Sequence, residues 1–111
     1  MTKQDQILVI QRACPDIWEA HQTWLGDGLR WFLTKKGEGI AGDEVDPTND
    51  LNACHEMEMT LTIHQKDRYA RTLAMNRNVE DYTSHFMVAH ATASQKAEAF
   101  LKVIGKWEDS A

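Results

Sequence analysis

The chain has 111 residues, 42% of them hydrophobic, and its 17 acidic and 12 basic side chains leave a formal charge of -5. That length closes one modest core, the composition is globular rather than disordered, and no apolar run approaches the roughly 18 residues needed to span a bilayer. A net-acidic surface without a basic stripe argues against gripping a phosphate backbone, because that affinity comes from Lys and Arg displacing counterions.

The N-terminal stretch is too polar, and its apolar run too short, for a secretory signal, so a cytoplasmic protein is expected. The first segment reads as a helix. Thr2 supplies a cap with Asp5 three residues on, and Ile7, Ile10 and Cys14 follow along one face. Pro15 disfavours helix at Cys14 and marks the exit. In the aromatic-rich stretch that follows, Gly26-Asp27-Gly28 is a hairpin signal. After it Leu29, Trp31 and Leu33 alternate with Arg30, Phe32 and Thr34, as in a strand, with a partner strand before the turn. Trp18, Trp24 and Trp31 are assigned to the core, although a surplus tryptophan on a sheet edge can anchor a partner.

Residues 35–47 hold three glycines, four acids and a proline and read as loop, with room for a short strand near Val45. A helix is expected from about Asn49 to Leu61, capped by Asp46, Thr48 or Asn49. Thr62 and Gln65 form a second capping box, opening a helix to about Met75 that buries Ile63, Tyr69, Ala70 and Leu73 and ends at Asn76–Asn78. Residues 79–90 fit either a helix or a short strand. Thr92 and Gln95 form a third box, and Ala97, Phe100, Leu101, Ile104 and Trp107 make one apolar stripe. Cys14 and Cys54 are read as small core hydrophobes, with no C-x-x-C pair to suggest structural zinc. The expected fold class is α+β: a small single-domain α/β/α sandwich, about four helices packed on a short antiparallel sheet.

Two blocks carry a family resemblance. Asp50 to Glu58 (DLNACHEME), followed by Leu61-Thr62, Gln65 and Tyr69, and His90 to Trp107 (HATASQKAEAFLKVIGKW) resemble the corresponding signatures of phage ABA-sandwich domain proteins. The chain departs from that pattern at Cys54, where Met is usual, and in the run before the last helix. The resemblance implies helices on both sides of a small sheet, a phage or prophage origin and a bacterial host cytoplasm. It brings no catalytic or binding residues with it.

The feature with most chemical content is a polar pair on a helical seam. At about 100° per residue, His55 and Glu58 fall within roughly 40° of Leu51, on the side expected to carry Leu51, Cys54 and Leu61. A structural hydrogen bond between them is the simpler expectation. The alternative is a metal-binding protein or metal-dependent hydrolase centred on Asp50, His55 and Glu58, although metal sites usually recruit three ligands and Asp50 reaches the others only with strain. Asp46, Thr48 and Asp50 mimic the start of a calcium loop, but Leu51 replaces its glycine and Met57 its final glutamate. No nucleophile motif or phosphate-binding glycine loop is present.

Between Glu38 and Glu58 lie seven acids and no Lys or Arg. Within that stretch Asp43, Glu44 and Asp46 are the candidate residues for meeting a basic partner. The functional expectation is a non-enzymatic interaction module acting on a host or phage protein, with no resident cofactor or metal, no membrane partner and no nucleic acid. A homodimer through a sheet edge is compatible with the pattern.

Overall fold

The structure, a computed structural model, describes residues 1–26, 28–76 and 91–108. Among them are four helices and one two-stranded antiparallel sheet: α1 (Lys3–Ala13), β1 (Trp18–Leu25), β2 (Gly28–Lys35), α2 (Leu51–Glu58), α3 (Ile63–Asn76) and α4 (Ala93–Val103). The helices pack on the hairpin as a small α+β domain, which is the expected fold class. The undecided segment 79–90 lies outside the described residues. No helix among them is long and apolar enough to cross a membrane.

Local signals place most of these elements. All three capping boxes form: Thr2 with Asp5, Thr62 with Gln65 and Thr92 with Gln95 each exchange side-chain and backbone hydrogen bonds. Each box satisfies two N–H groups that a helix start leaves without partners. Cys14 ends α1 just before Pro15. Helix α4 stops at Gly105, whose φ of 76° suits the left-handed turn. There the Gly105 N–H donates to Lys102 O (3.1 Å) and the Lys106 N–H to Leu101 O (2.8 Å). Gly26, at φ 61°, turns the hairpin.

The core lies between the base of the hairpin and the helices. Trp18 and Leu33 meet Ile7 and Ile10 of α1, Cys54 and Met57 of α2, Tyr69 and Leu73 of α3, and Phe100 and Leu101 of α4. Both cysteines are buried and free, as their reading as core hydrophobes requires. The suspected strand near Val45 is a single bridge to Leu33, made by the Val45 N–H at 2.7 Å from Leu33 O.

Three expectations for apolar residues are corrected. Leu51 is 54% exposed and Ile63 83% exposed. Each sits in the first turn of its helix, on the side away from the packed stripe. Of the hairpin tryptophans only Trp18 is fully buried, Trp31 is half-buried and Trp24 is 73% exposed. Trp18→Ala is therefore expected to cost about 3–5 kcal/mol by loss of burial and creation of a cavity. Trp24→Ala should stay within about 0.5 kcal/mol. Urea midpoints of the two variants measured side by side check the contrast.

Candidate functional site

Helix α2 carries the residues singled out from the sequence, and its rotation decides their fate. Its buried residues are Ala53, Cys54 and Met57, followed by Leu61 just beyond its end. Their mean direction lies about 105° around the helix from Leu51. The seam centred on Leu51 is thus displaced by more than a quarter turn. His55 falls on the far, exposed side, while Glu58 sits at the margin of the packed stripe with its side chain 17% exposed.

The three polar candidates consequently do three separate things. Asp50, rather than Asp46, Thr48 or Asn49, is the cap of α2 and accepts a hydrogen bond from the Asn52 N–H at 2.9 Å. Asp46 orders the turn before it, accepting from both the amide and the hydroxyl of Thr48. His55 lines an open surface hollow with Asp16, Lys35, Lys36, Glu56 and Met59. Glu58 accepts a hydrogen bond from the Tyr69 hydroxyl at 2.7 Å and pairs with Lys96 of α4 at 3.4 Å. The expected His55–Glu58 bond is replaced by this link across α2, α3 and α4. Among the described residues no group of three or more His, Cys, Asp or Glu is arranged to hold a metal ion.

The Glu58 link is a packing device with a chemical consequence. Burial is the largest cause raising the Tyr69 pKa far above its ordinary value, and the hydrogen bond to Glu58 and its negative charge add to it. Burial likewise pushes the neighbouring Cys54 thiol from 9.0 up to about 12, against the opposing pull of Lys96. Cys54 donates to Pro47 O at 3.0 Å, so it is a protonated core thiol rather than a nucleophile. Cys14 is raised too, chiefly by burial.

The acidic candidates are also divided. Glu44 pairs with Arg30 of β2, and Asp46 pairs with Lys3 of α1 at 2.9 Å. Burial alone would raise the Asp46 carboxyl, but the Thr48 and Lys3 donors outweigh it and hold the group below its ordinary 3.8. Asp43 remains exposed on a hollow that it shares with Lys35, Glu44, Asp50 and Glu56.

The sequence allows a surplus tryptophan on a sheet edge without saying which one, and the end of the hairpin supplies it. The register pairs Trp18 with Lys35, Ala20 with Leu33, Gln22 with Trp31 and Trp24 with Leu29, all on one face of the sheet. That face begins in the core at Trp18 and Leu33 and runs out past it, leaving Trp24 73% and Leu29 52% exposed as cross-strand neighbours. Gln4 of α1 braces this end, accepting from the Trp31 N–H and donating to its carbonyl. The signal was in the pairing. Once the turn is placed at residues 26–27, Trp24 and Leu29 must face each other beyond the reach of Ile7 and Ile10.

The chain matches no family model, no curated protein and no solved structure with which it was compared.

Two outcomes test the Glu58 link. Glu58→Ala should cost about 2 kcal/mol and more than Tyr69→Phe, since it leaves both a buried hydroxyl and a mostly buried ammonium without their partner; negligible losses for both in denaturant titration would show that the link is idle. Stability should also fall as pH rises above about 9. The unfolded chain releases the Cys54 and Tyr69 protons near 9.0 and 10.0, whereas the folded chain holds them, so fewer protons on the unfolded state favour unfolding. Urea midpoints between neutral and alkaline pH measure this loss, and Cys54→Ala should make it shallower.

Proposed function

We propose that the chain is a non-enzymatic interaction module that acts on another protein through the exposed end of its hairpin. The observation that carries this reading is Trp24, set beside Leu29 on a face that continues the core's own apolar surface into solvent. A tryptophan of this kind is the residue type most enriched among binding hot spots. Keeping an apolar pair exposed brings the fold nothing by itself, and a partner that covers it recovers the burial energy. The resemblance of the Asp50–Glu58 and His90–Trp107 blocks to phage ABA-sandwich proteins supports a phage or prophage origin, with a host or phage protein in the bacterial cytoplasm as the partner.

The polar groups support the same reading. Cys54 is a protonated, buried thiol, Glu58 is committed to Tyr69 and Lys96, and Asp50 is committed to a helix cap. Each has a structural task that a reaction would disturb. Asp43, with Glu44, Asp50 and Glu56 around one hollow, supplies negative potential that would orient a basic partner and make its association salt-sensitive.

Capture from bacterial host lysate tests the reading. The wild-type chain should retain a stoichiometric protein that a Trp24→Ser, Leu29→Ser double variant loses, and Asp43→Asn should weaken the capture mainly at low salt. Equal retention by the wild type and the double variant would remove the hairpin from the contact. Absence of any retained protein would remove a host protein as the partner.

A further inference from the structure

The two edges of the small sheet are treated differently. Lys36 donates to Ile17 O at 3.0 Å, which makes this a hydrogen-bonded pair of the antiparallel ladder. By the alternation of such ladders, Glu19, His21 and Thr23 turn their main-chain groups inward to β2, whereas Trp18, Ala20, Gln22 and Trp24 turn theirs outward. The opposing positions on β2, Lys35, Leu33, Trp31 and Leu29, also point outward, and the chain engages the middle two. Gln4 takes the Trp31 N–H and carbonyl, and Val45 takes the Leu33 carbonyl. On β1 only Trp18 is covered, by the Cys14 carbonyl on its N–H and the Gln11 amide on its carbonyl. Among the described residues nothing pairs with the outward groups of Ala20, Gln22 and Trp24.

Nor does β1 carry the usual protection of a free edge. It contains no Lys, Arg or Pro and no bulge in its pairing with β2. Its one carboxylate, Glu19, is turned back into the fold, where it accepts from the Gly39 N–H at 2.6 Å.

We propose that the occupant of this edge is a second copy of the chain, paired antiparallel through β1 so that the two hairpins join into one continuous sheet about a two-fold axis. The open stretch sets the register. It is closed at Trp18 by Gln11 and Cys14 and ends at the turn after Leu25, so its middle is Gln22. A two-fold axis there pairs Gln22 with the partner's Gln22 and sets Ala20 opposite the partner's Trp24. About six new main-chain hydrogen bonds form. Each exposed Trp24 then stands opposite the partner's Ala20, the smallest side chain on that face of β1. On the opposite face His21 meets the partner's Thr23, so no like charges stand directly across from each other. Such an interface uses one patch twice, as two-fold dimers do.

The inference goes beyond the interaction-module reading by assigning the strand edge of the same hairpin to a second copy of the chain, and it rests on the hairpin being a contact surface. Its test uses the full chain and the charge of the central position. Gln22 is exposed and its main chain is not bonded to β2, so Gln22→Lys and Gln22→Glu should keep the wild-type circular dichroism and urea midpoint. Sedimentation equilibrium from low micromolar to millimolar concentration should show a dimer for the wild type. Each single variant brings like charges together on the axis and should weaken the dimer about tenfold or more. An equimolar mixture of the two variants should restore it at low salt. A wild-type chain that stays monomeric throughout would overturn the proposal, as would a dimer indifferent to both variants or a mixture no tighter than either variant alone. A monomer that still captures a lysate protein through Trp24 would overturn the dimer and leave the module reading standing.

Discussion

A sheet of only two strands cannot bury a face or satisfy its edges by itself, and the rest of this structure is arranged around that constraint. Helix α1 answers most of it. Ile7 and Ile10 cover the core end of the hairpin face, Gln4 closes the outer edge at Trp31, and Gln11 closes Trp18. The bridge at Val45 closes the β2 edge at Leu33. The loop that leads to α2 is fastened from outside the core as well, by Arg30 to Glu44 and by Lys3 to Asp46. One helix and one loop thus hold the hairpin at its base. Beyond that base Trp24 and Leu29 stand exposed, and among the described residues that pair and the open β1 edge are two aspects of the same unfinished sheet.

What could be read from the sequence was what is decided locally. A capping box needs four consecutive residues and no knowledge of the rest of the chain, so Thr2, Thr62 and Thr92 were all identifiable as helix starts. Pro15 and the glycines around Asp27 act at equally short range. The rotation of α2 is a different kind of quantity. In a helix of eight residues, Leu51 with Cys54 makes as good a stripe as Ala53 with Met57. Packing against the rest of the fold selects between them: α4 supplies Lys96 to Glu58 and the Ala93 carbonyl to Cys54, and α3 supplies Tyr69 to Glu58. Once the selection moves the seam by about 105°, the supposed His55–Glu58 pair separates. Ile63 follows the same logic: a first-turn residue can be apolar by composition yet point away from any neighbour.

The acidic stretch shows why counting charges along a chain says little about surface potential. Of its acids, Asp50 and Asp46 order the start of α2, Glu44 holds Arg30, and Glu58 is drawn into the helix junction. Aspartate and glutamate are useful at helix starts because the free N–H groups and the helix dipole favour negative charge there. A cluster of acids before a helix is therefore first a folding signal. Its remaining charge, around Asp43, is what a partner would meet.

The same reasoning makes the hairpin end the more informative surface. Asp43 and its neighbours are each exposed or already paired, and neither state demands a partner. Trp24 has neither a hydrogen-bond partner nor a covering side chain among the described residues. In helix α1, Gln4 is turned to the backbone of Trp31. The helix therefore stabilises the strand at the point where it leaves the core without covering its apolar face. In the proposed contact that combination, an anchored base under an exposed apolar pair with an unpaired strand edge beside it, would lower the ordering cost of binding because the strands are already held in extended register. A flexible loop bearing the same tryptophan would have to be ordered on contact, and the hairpin needs no such step.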